Sequence, residues 1–374
     1  MSLYPVYAQY PITIVAAQGM ELTDEKGETY LDYYGGHAVI SVGHGHPHYK
    51  AALHEQLDKI GFYSNVIQSP LQEALSNRIN AHLEGPYQLF MCSTGAEANE
   101  NALKVASFKT LRKKVLAFTH SFHGRTSAAV AATDNPKIWA PINTGHEVDF
   151  VDFEDFEESE RLLATSTYAA VIIETVQGVG GLDQPTVAFA AHLQTLCKKY
   201  GTMLIADEVQ SGFGRTGAFF SYQRFGLEPD IITMAKGMGN GFPVAGIMVK
   251  SDIEAVMGEL GTTFGGNFLA CRAALAVIDI LEDEKLMDNA LHLEKVFRTA
   301  VEEAQLKATI KGAGLMIGLD YGVPTAELRK KLLFEEHIFV GSSSNPNVVR
   351  ILPALNIDGQ AIKHLVACLK KHSI

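Results

Sequence analysis

Residues 193–217 read LQTLCKKYGTMLIADEVQSGFGRTG. The first nine (193–201) close a helix, and TMLIADE (202–208) follows as a short apolar run that ends on two acids. A continuous apolar strand fed by a helix is the pattern of a strand covered on both faces, as in a parallel sheet. Asp207 and Glu208 then stand where ionised carboxylates are costly unless a cation or hydrogen bonds offset them. This strand end therefore suggests a functional site, the structural alternative being a pairing with nearby Arg215.

On either side of this stretch the same alternation recurs. SPLQEALSNRINAHLEG (69–85) has Ser69 as N-cap, Pro70 at the first helical position, an apolar face of Leu71, Leu75, Ile79 and Leu83, and Gly85 as the stop, which predicts a helix. YQLFMC (87–92), KVLAFT (114–119) and AAVIIET (169–175) read as strands, with a turn and helix over 93–108. The expected fold is α/β: a large doubly wound, mainly parallel sheet domain over 49–265, followed by a smaller α+β domain over 266–374. Residues 1–48 are expected to form an N-terminal segment packing with the small domain. In that small domain FLACRAALAVIDILEDEKLM (268–287) predicts one long helix, and GLMIGLDYG (314–322) and NVVRILPAL (347–355) predict strands.

The bulk numbers agree with two domains. At 374 residues the chain exceeds the size at which one core stops growing, about 250–300 residues. A composition of 47% hydrophobic and 20% charged residues is that of a soluble globular protein. The formal net charge of −11, without a clustered basic stretch, argues against a nucleic-acid partner and for small-molecule substrates. Cys92, Cys197, Cys271 and Cys368 show no metal or redox spacing and read as buried reduced thiols. Neither a signal peptide nor an apolar run of about 18 residues is visible, so a cytoplasmic protein with no membrane partner is expected.

In doubly wound sheets ligands bind beyond the carboxyl ends of the strands. After 87–92 comes STGAEANE, where Ser93, Thr94 and Gly95 open a helix whose free N–H groups suit a phosphate, though a plain N-cap turn reads the same. After 114–119 comes HSFHGRT, whose Phe122, His123 and Arg125 could stack on a planar ligand and bind its carboxylate. After DIITMA comes Lys236, in an apolar, glycine-rich run with no acid nearby in sequence. A poorly solvated ammonium loses its proton readily, and the free amine can attack a carbonyl. A phosphate cradle, a stacking aromatic, a buried aspartate and such a lysine, on successive strands, are the parts needed to hold pyridoxal 5′-phosphate.

At this point the sequence resembles the class III pyridoxal-phosphate-dependent aminotransferases of fold type I, and within them the acetylornithine/succinylornithine aminotransferases. The blocks that carry the resemblance are YGGHAVISVGHGHP, STGAEANENALKVA, FHGRT, LIADEVQSGFGRTG, PDIITMAKGMGNGFPVAG, GTTFGGN, KGAGLMIGLD and NVVRILPAL, in the family's order. The resemblance implies that Lys236 is the Schiff-base lysine and proton-transfer base, and that Asp207 keeps the pyridine nitrogen protonated. It further implies that Gln210 reaches the ring hydroxyl, Phe122 stacks on the ring, Val209 joins the cofactor contacts, and Gly95 with Ala96 holds the phosphate. Thr263 resembles the phosphate-binding threonine that the family contributes from the partner subunit, which implies a homodimer with sites at the interface; Thr262 lies nearer the substrate. Arg125 resembles the arginine for the acylated ornithine's α-carboxylate, and Arg350 the one for glutamate or 2-oxoglutarate. Glu174 is the further substrate-side residue.

The chain departs from the pattern at ETVQGVGG (174–181), where Val179 replaces an acid that in ornithine-type relatives pairs with the arginine matching Arg350. That departure makes N-succinylornithine a rival to N-acetylornithine as donor. Thr262 stands where serine is more usual. The histidines of GHGHPH (43–48) lack a carboxylate or cysteine in the motif to close a metal set, and no metal is expected. FEDFEESE (153–160) reads as a solvated acidic face. The expected reaction is transfer of the terminal amine of an N-acylated ornithine to 2-oxoglutarate in arginine biosynthesis. The rivals are ornithine or 4-aminobutyrate as donor, an intramolecular amino shift, and a noncatalytic binding protein of this fold. Retention of Lys236 and Asp207 together argues against the last.

Overall fold

The computed structural model describes residues 3–372 of the chain; residues 1–2 of the expected N-terminal segment and 373–374 of the expected small domain lie outside it. Strands β4 (Tyr87–Cys92), β5 (Lys114–Phe118), β6 (Val148–Val151), β7 (Tyr168–Ile173), β8 (Met203–Asp207), β9 (Ile231–Met234) and β10 (Ala245–Lys250) form a seven-stranded sheet in the order β4-β10-β9-β8-β7-β5-β6. β5, β6, β7, β8 and β9 pair in parallel. β10 alone runs against its neighbours, pairing antiparallel with both β9 and β4. Every residue of β7 and β9 is buried, as both-face coverage requires.

The mainly parallel sheet thus holds, and three element expectations change. The helix expected over 69–85 is Pro70–Asn80. Asn80 ends it by stitching across to β4, its side-chain nitrogen donating to the Tyr87 carbonyl and its oxygen accepting from the Tyr87 N–H. The single helix expected over 268–287 is two, Phe268–Asp283 and Leu286–Ala304, separated by Lys285 in the left-handed region at φ 52°. The strand expected from Gly314 begins at Met316. Gly314 (φ 56°) and Leu315 are the two-residue turn of a hairpin between β11 (Thr309–Ala313) and β12 (Met316–Asp320), whose first strand the sequence reading missed.

β1 (Ile14–Gln18), β2 (Glu21–Asp24) and β3 (Thr29–Asp32) form a sheet with β13 (Ile338–Phe339), which pairs in parallel with β3. β14 (Gly341–Ser342) and β15 (Val348–Ile351) complete a third sheet with β11 and β12. The N-terminal strands are therefore bonded to the C-terminal part of the chain. Fully buried Arg215 ties the regions together: it donates to the carbonyl oxygens of Leu315, Pro353 and Ile40, and so pairs with neither Asp207 nor Glu208.

The acidic run 153–160 is also more than a solvated face. Asp155 caps the helix Phe156–Leu163, and Glu154 accepts from the N–H and hydroxyl of Thr186, anchoring the start of the helix Val187–Tyr200. The three histidines of GHGHPH are drawn apart rather than together: His44 meets Asp32 at 3.0 Å, His46 meets Glu284 at 2.8 Å, and His48 faces Asp279 at 3.4 Å.

Candidate active site

The segments after β4, β5, β7, β8 and β9 lie at one edge of the sheet, because those strands point the same way. Asp207, last in β8, is 3% exposed. Oδ2 accepts from Asn99 Nδ2 and from His123 Nδ1, both at 2.7 Å, and Oδ1 from the Val209 N–H at 3.0 Å and the Thr233 hydroxyl at 3.4 Å. Asn99 also donates to the His123 carbonyl at 2.7 Å, so the helix after β4 and the loop after β5 are both fastened to the end of β8. Glu208, its sequence neighbour, turns the other way. It accepts from the N–H groups of Ser221 and Tyr222 and the Ser211 hydroxyl, and burial pushes its carboxyl up to about 7. Of the two acids, Asp207 faces the site and Glu208 braces the 3₁₀ turn Ser221–Phe225.

Lys236 follows β9 in a left-handed backbone conformation at φ 47°, unusual for a residue with a Cβ. Desolvation lowers its ammonium below the ordinary lysine range, against the attraction of Asp207 and Glu174. Thr94 caps the helix Gly95–Thr110 by accepting from the Glu97 N–H, which leaves the Gly95 and Ala96 N–H groups with no acceptor among the described residues. Gly95 is required there: an added Cβ would come within 2.5 Å of Val209 Cγ1.

Phe122 is partly buried, with the Arg125 guanidinium 5.9 Å from its ring centre; Arg125 itself is exposed. Arg350 in β15 is 2% exposed and donates to the carbonyl oxygens of Gly178 (2.6 Å) and Ser342. Gln210 packs against Gly178, where an added Cβ would strike its Oε1. Thr262 accepts from the Gly265 N–H, while Thr263 and Phe264 are exposed. Glu174, expected on the substrate, spends one oxygen on the Phe122 N–H (2.8 Å) and the other on the Gly178 N–H (3.0 Å). It joins the loop that carries Phe122 to its own loop at Gly178, against which Gln210 packs, and burial raises its carboxyl to about 7.

Asn99 escaped the sequence reading, and His123 was noticed without a role. The signal for Asn99 was its position: it lies one helical turn past Gly95, beside the buried Ala98, Ala102 and Leu103, where an amide needs a partner. Asn99 Oδ1, His123 Nε2 and Gln210 Oε1 are buried with no partner among the described residues. Unmatched polar atoms gathered around a buried aspartate, beside free helix N-terminal N–H groups and a deprotonatable lysine, fit a flat, phosphate-bearing aldehyde cofactor such as pyridoxal phosphate.

The seven-stranded sheet and the groups at its edge are those of a pyridoxal-phosphate-dependent enzyme of fold type I. The aminotransferase class-III family model matches residues 4–372, and the chain belongs to that family as a pyridoxal-phosphate-dependent aminotransferase. It is 38% identical to the acetylornithine aminotransferase of Bacillus subtilis (strain 168), covering 99% of this chain and 97% of that one. It is also 38% identical to the acetylornithine aminotransferase of Archaeoglobus fulgidus, covering 96% and 95%. Among solved structures, the ornithine aminotransferase of Toxoplasma gondii ME49 superposes with a TM-score of 0.91 at 26% identity, covering 99% of this chain and 92% of that one. No helix among the described residues is long and apolar enough to cross a membrane.

Proposed function

We propose that this aminotransferase moves the terminal amine of an Nα-acylated ornithine, N-acetylornithine first among them, to 2-oxoglutarate, releasing the semialdehyde and glutamate in arginine biosynthesis. One observation carries the reading: two guanidiniums, Arg125 from the loop after β5 and Arg350 from strand β15, belong to separate segments of the chain, and among the described residues neither has a carboxylate in contact. Two fixed carboxylate clamps suit an enzyme that must orient two different amino acids in turn toward one reacting centre. The curated relatives that match over nearly their whole length, named acetylornithine aminotransferases, support N-acetylornithine as donor.

In this reading Gly95 and Ala96 N–H groups hold the cofactor phosphate, Phe122 and Val209 cover its ring, Gln210 meets the ring hydroxyl, and Asp207 holds the proton on the ring nitrogen. The bound cofactor supplies an electron sink for the electron pair of the broken C–H bond. Asn99 and His123 hold Asp207 in place by hydrogen bonds to Oδ2. Lys236 Nζ, lowered by desolvation so that its free amine is accessible, takes the proton from the amine-bearing carbon of the donor and returns one in the reverse half-reaction. Arg125 orients the donor's α-carboxylate with Thr262 nearby, and Arg350 orients the keto acid. Glu174 acts as a positioning residue through its two backbone bonds.

We further propose a cytoplasmic homodimer with a large domain over 49–265 and a small one over 266–374. Exposed Phe62 and Phe264, with ring centres 5.6 Å apart, form an apolar patch next to Thr263 that a second copy would cover, bringing Thr263 to the partner's phosphate site. The test is to mix the yellow loaded protein, without keto acid, with N-acetylornithine, N-succinylornithine, ornithine or 4-aminobutyrate. Bleaching far faster with an acylated ornithine is expected, and bleaching led by free ornithine or 4-aminobutyrate overturns the donor. Light scattering at the monomer mass would overturn the dimer.

A further inference from the structure

The turn that carries Lys236 is held largely from outside itself. Lys236 (φ 47°) and Asn240 (φ 46°) stand at its two ends in the left-handed region, a conformation that a residue with a Cβ keeps only where its surroundings fix it. Inside the 3₁₀ turn Lys236–Met238, the Ala235 and Lys236 carbonyls accept from the Met238 and Gly239 N–H groups at 3.0 and 2.9 Å. The Gly237 carbonyl instead accepts from the Ser41 hydroxyl at 2.7 Å. The Gly239 carbonyl accepts from the Phe242 N–H and also from the hydroxyl of Tyr49, on the helix Pro47–Lys59, at 2.6 Å.

Asn240 closes the grip in the opposite direction. Its Oδ1 accepts from the N–H groups of Ser41 (2.9 Å) and Val42 (3.0 Å), and its Nδ2 donates to the Gly43 carbonyl (3.0 Å). Ser41, Val42 and Asn240 are all buried, so water does not replace these bonds. On its other side the same stretch is bonded to the segment that follows Arg350. The Ser41 carbonyl accepts from the Leu355 N–H at 2.7 Å, and the Val42 carbonyl from Asn356 Nδ2 at 3.0 Å. The stretch is entered through Gly35–Ala38, four residues with positive φ that bring His37 to the Tyr34 hydroxyl. Tyr34 adds a further link, its ring centre 5.7 Å from the Arg350 guanidinium carbon. Residues 41–43 thus stand between the lysine turn and the chain beyond Arg350, hydrogen-bonded to both.

We propose that Asn240 and Ser41 are positioning residues for the proton transfer at Lys236: together they fix the left-handed turn from which the lysine side chain is delivered, and set its place relative to the segment that carries Arg350. The inference rests on the role given to Lys236 in the proposed function. Both residues act through the backbone of the turn. A base works by alignment, and a misplacement of about 1 Å costs on the order of 100-fold in rate. The closed turn also maintains the desolvation that holds the Lys236 amine below the ordinary lysine range.

The test compares full-length loaded protein as wild type, Asn240→Gly, Ser41→Ala and Asn80→Ala. Glycine at 240 keeps the left-handed backbone accessible while removing all three side-chain bonds, so it separates the grip from backbone strain. Ser41→Ala removes one hydroxyl bond and keeps the test decisive if Asn240→Gly folds poorly. Asn80→Ala removes three bonds to the Ser76 and Tyr87 backbone at the far end of β4, as a control for lost stability alone. The bleaching rate at saturating acylated ornithine should fall on the order of 10–100-fold in Asn240→Gly and about 10-fold in Ser41→Ala, with the donor KM unchanged. Deuterium on the amine-bearing carbon should slow both variants more than wild type, because proton transfer has become the slow step. Without any donor, the midpoint of the visible absorbance against pH should move up by about half a unit, the order expected when a buried amine shifts about 1 Å relative to a nearby carboxylate and gains water. Asn80→Ala should move none of these. Unchanged rate, isotope effect and midpoint in both site variants, or equal changes in Asn80→Ala, overturn the inference. Borohydride reduction and peptide mapping tell the two readings apart: cofactor fixed to another lysine overturns the role of Lys236 itself, whereas cofactor on Lys236 with unmoved readouts overturns the positioning roles alone.

Discussion

Removing the Asn99 side chain tests how Asp207 is held. Asn99→Ala deletes one hydrogen bond to an ionised carboxylate and one to the buried His123 carbonyl, each 2.7 Å long. Hydrogen bonds to charged groups contribute about 1.5–3 kcal/mol, and a buried carbonyl left without a donor costs about 1–3 kcal/mol, so a loss of about 3–4 kcal/mol is expected. Asn101→Ala, on the same helix, removes a single partly buried bond to the Glu97 carbonyl and should cost about 1 kcal/mol or less. Urea unfolding of both variants, compared by midpoint at constant m, reads the difference. The bleaching rate with the amino donor should fall at least about 10-fold in Asn99→Ala, because a looser Asp207 holds the ring nitrogen's proton less well. A destabilisation below about 1 kcal/mol with an unchanged bleaching rate would show that Asp207 is positioned by other means, and would refute the bracing role of Asn99.

Lys236→Ala should still bind the cofactor through the phosphate and ring contacts but give no turnover; full activity would contradict the lysine's assignment. Val179→Glu should place a carboxylate within reach of Arg350, raising the 2-oxoglutarate KM and shifting the preference between acetyl and succinyl donors; unchanged values for both would sink the role assigned to the missing acid. The folded carboxyls of Glu174 and Glu208 are raised to about 7 from the ordinary 4.5. Their proton-linked stability is therefore fully present below about pH 4.5 and lost as the pH rises through about 7. Stability should decline across that window, and Glu174→Gln should flatten the decline; a slope as steep as in the wild type would place the titration elsewhere.

Much of the site was legible because its residues sit directly after apolar strands. Lys236 after DIITMA, Asp207 at the end of TMLIADE and Gly95 after YQLFMC are local anomalies: a cation, an acid and a glycine where an apolar or helical pattern breaks. Other parts left no local trace. Tyr34 lies far in sequence from Arg350 and meets it only because β3 pairs with β13 and β15 runs beside β14. The left-handed turn that aims His37 is announced only by two glycines, and its two following residues adopt positive φ against their own preference.

Sequence alone specified the class of fold and the central strands β4, β5, β7 and β8, because alternation of apolar runs and amphipathic helices is a local property set by burial on one or both faces. It also specified which residue types stand at the strand ends. Long-range packing chose which of two adjacent acids faces the site, since Asp207 and Glu208 have the same burial problem in sequence and differ only in the donors that folding brings to them. The same packing makes Arg215 tie the regions together through carbonyls, and leaves Arg350 bonded to carbonyls with no carboxylate in contact among the described residues. A guanidinium's partners come from whichever loops the fold delivers, and that is a property of contacts between distant segments.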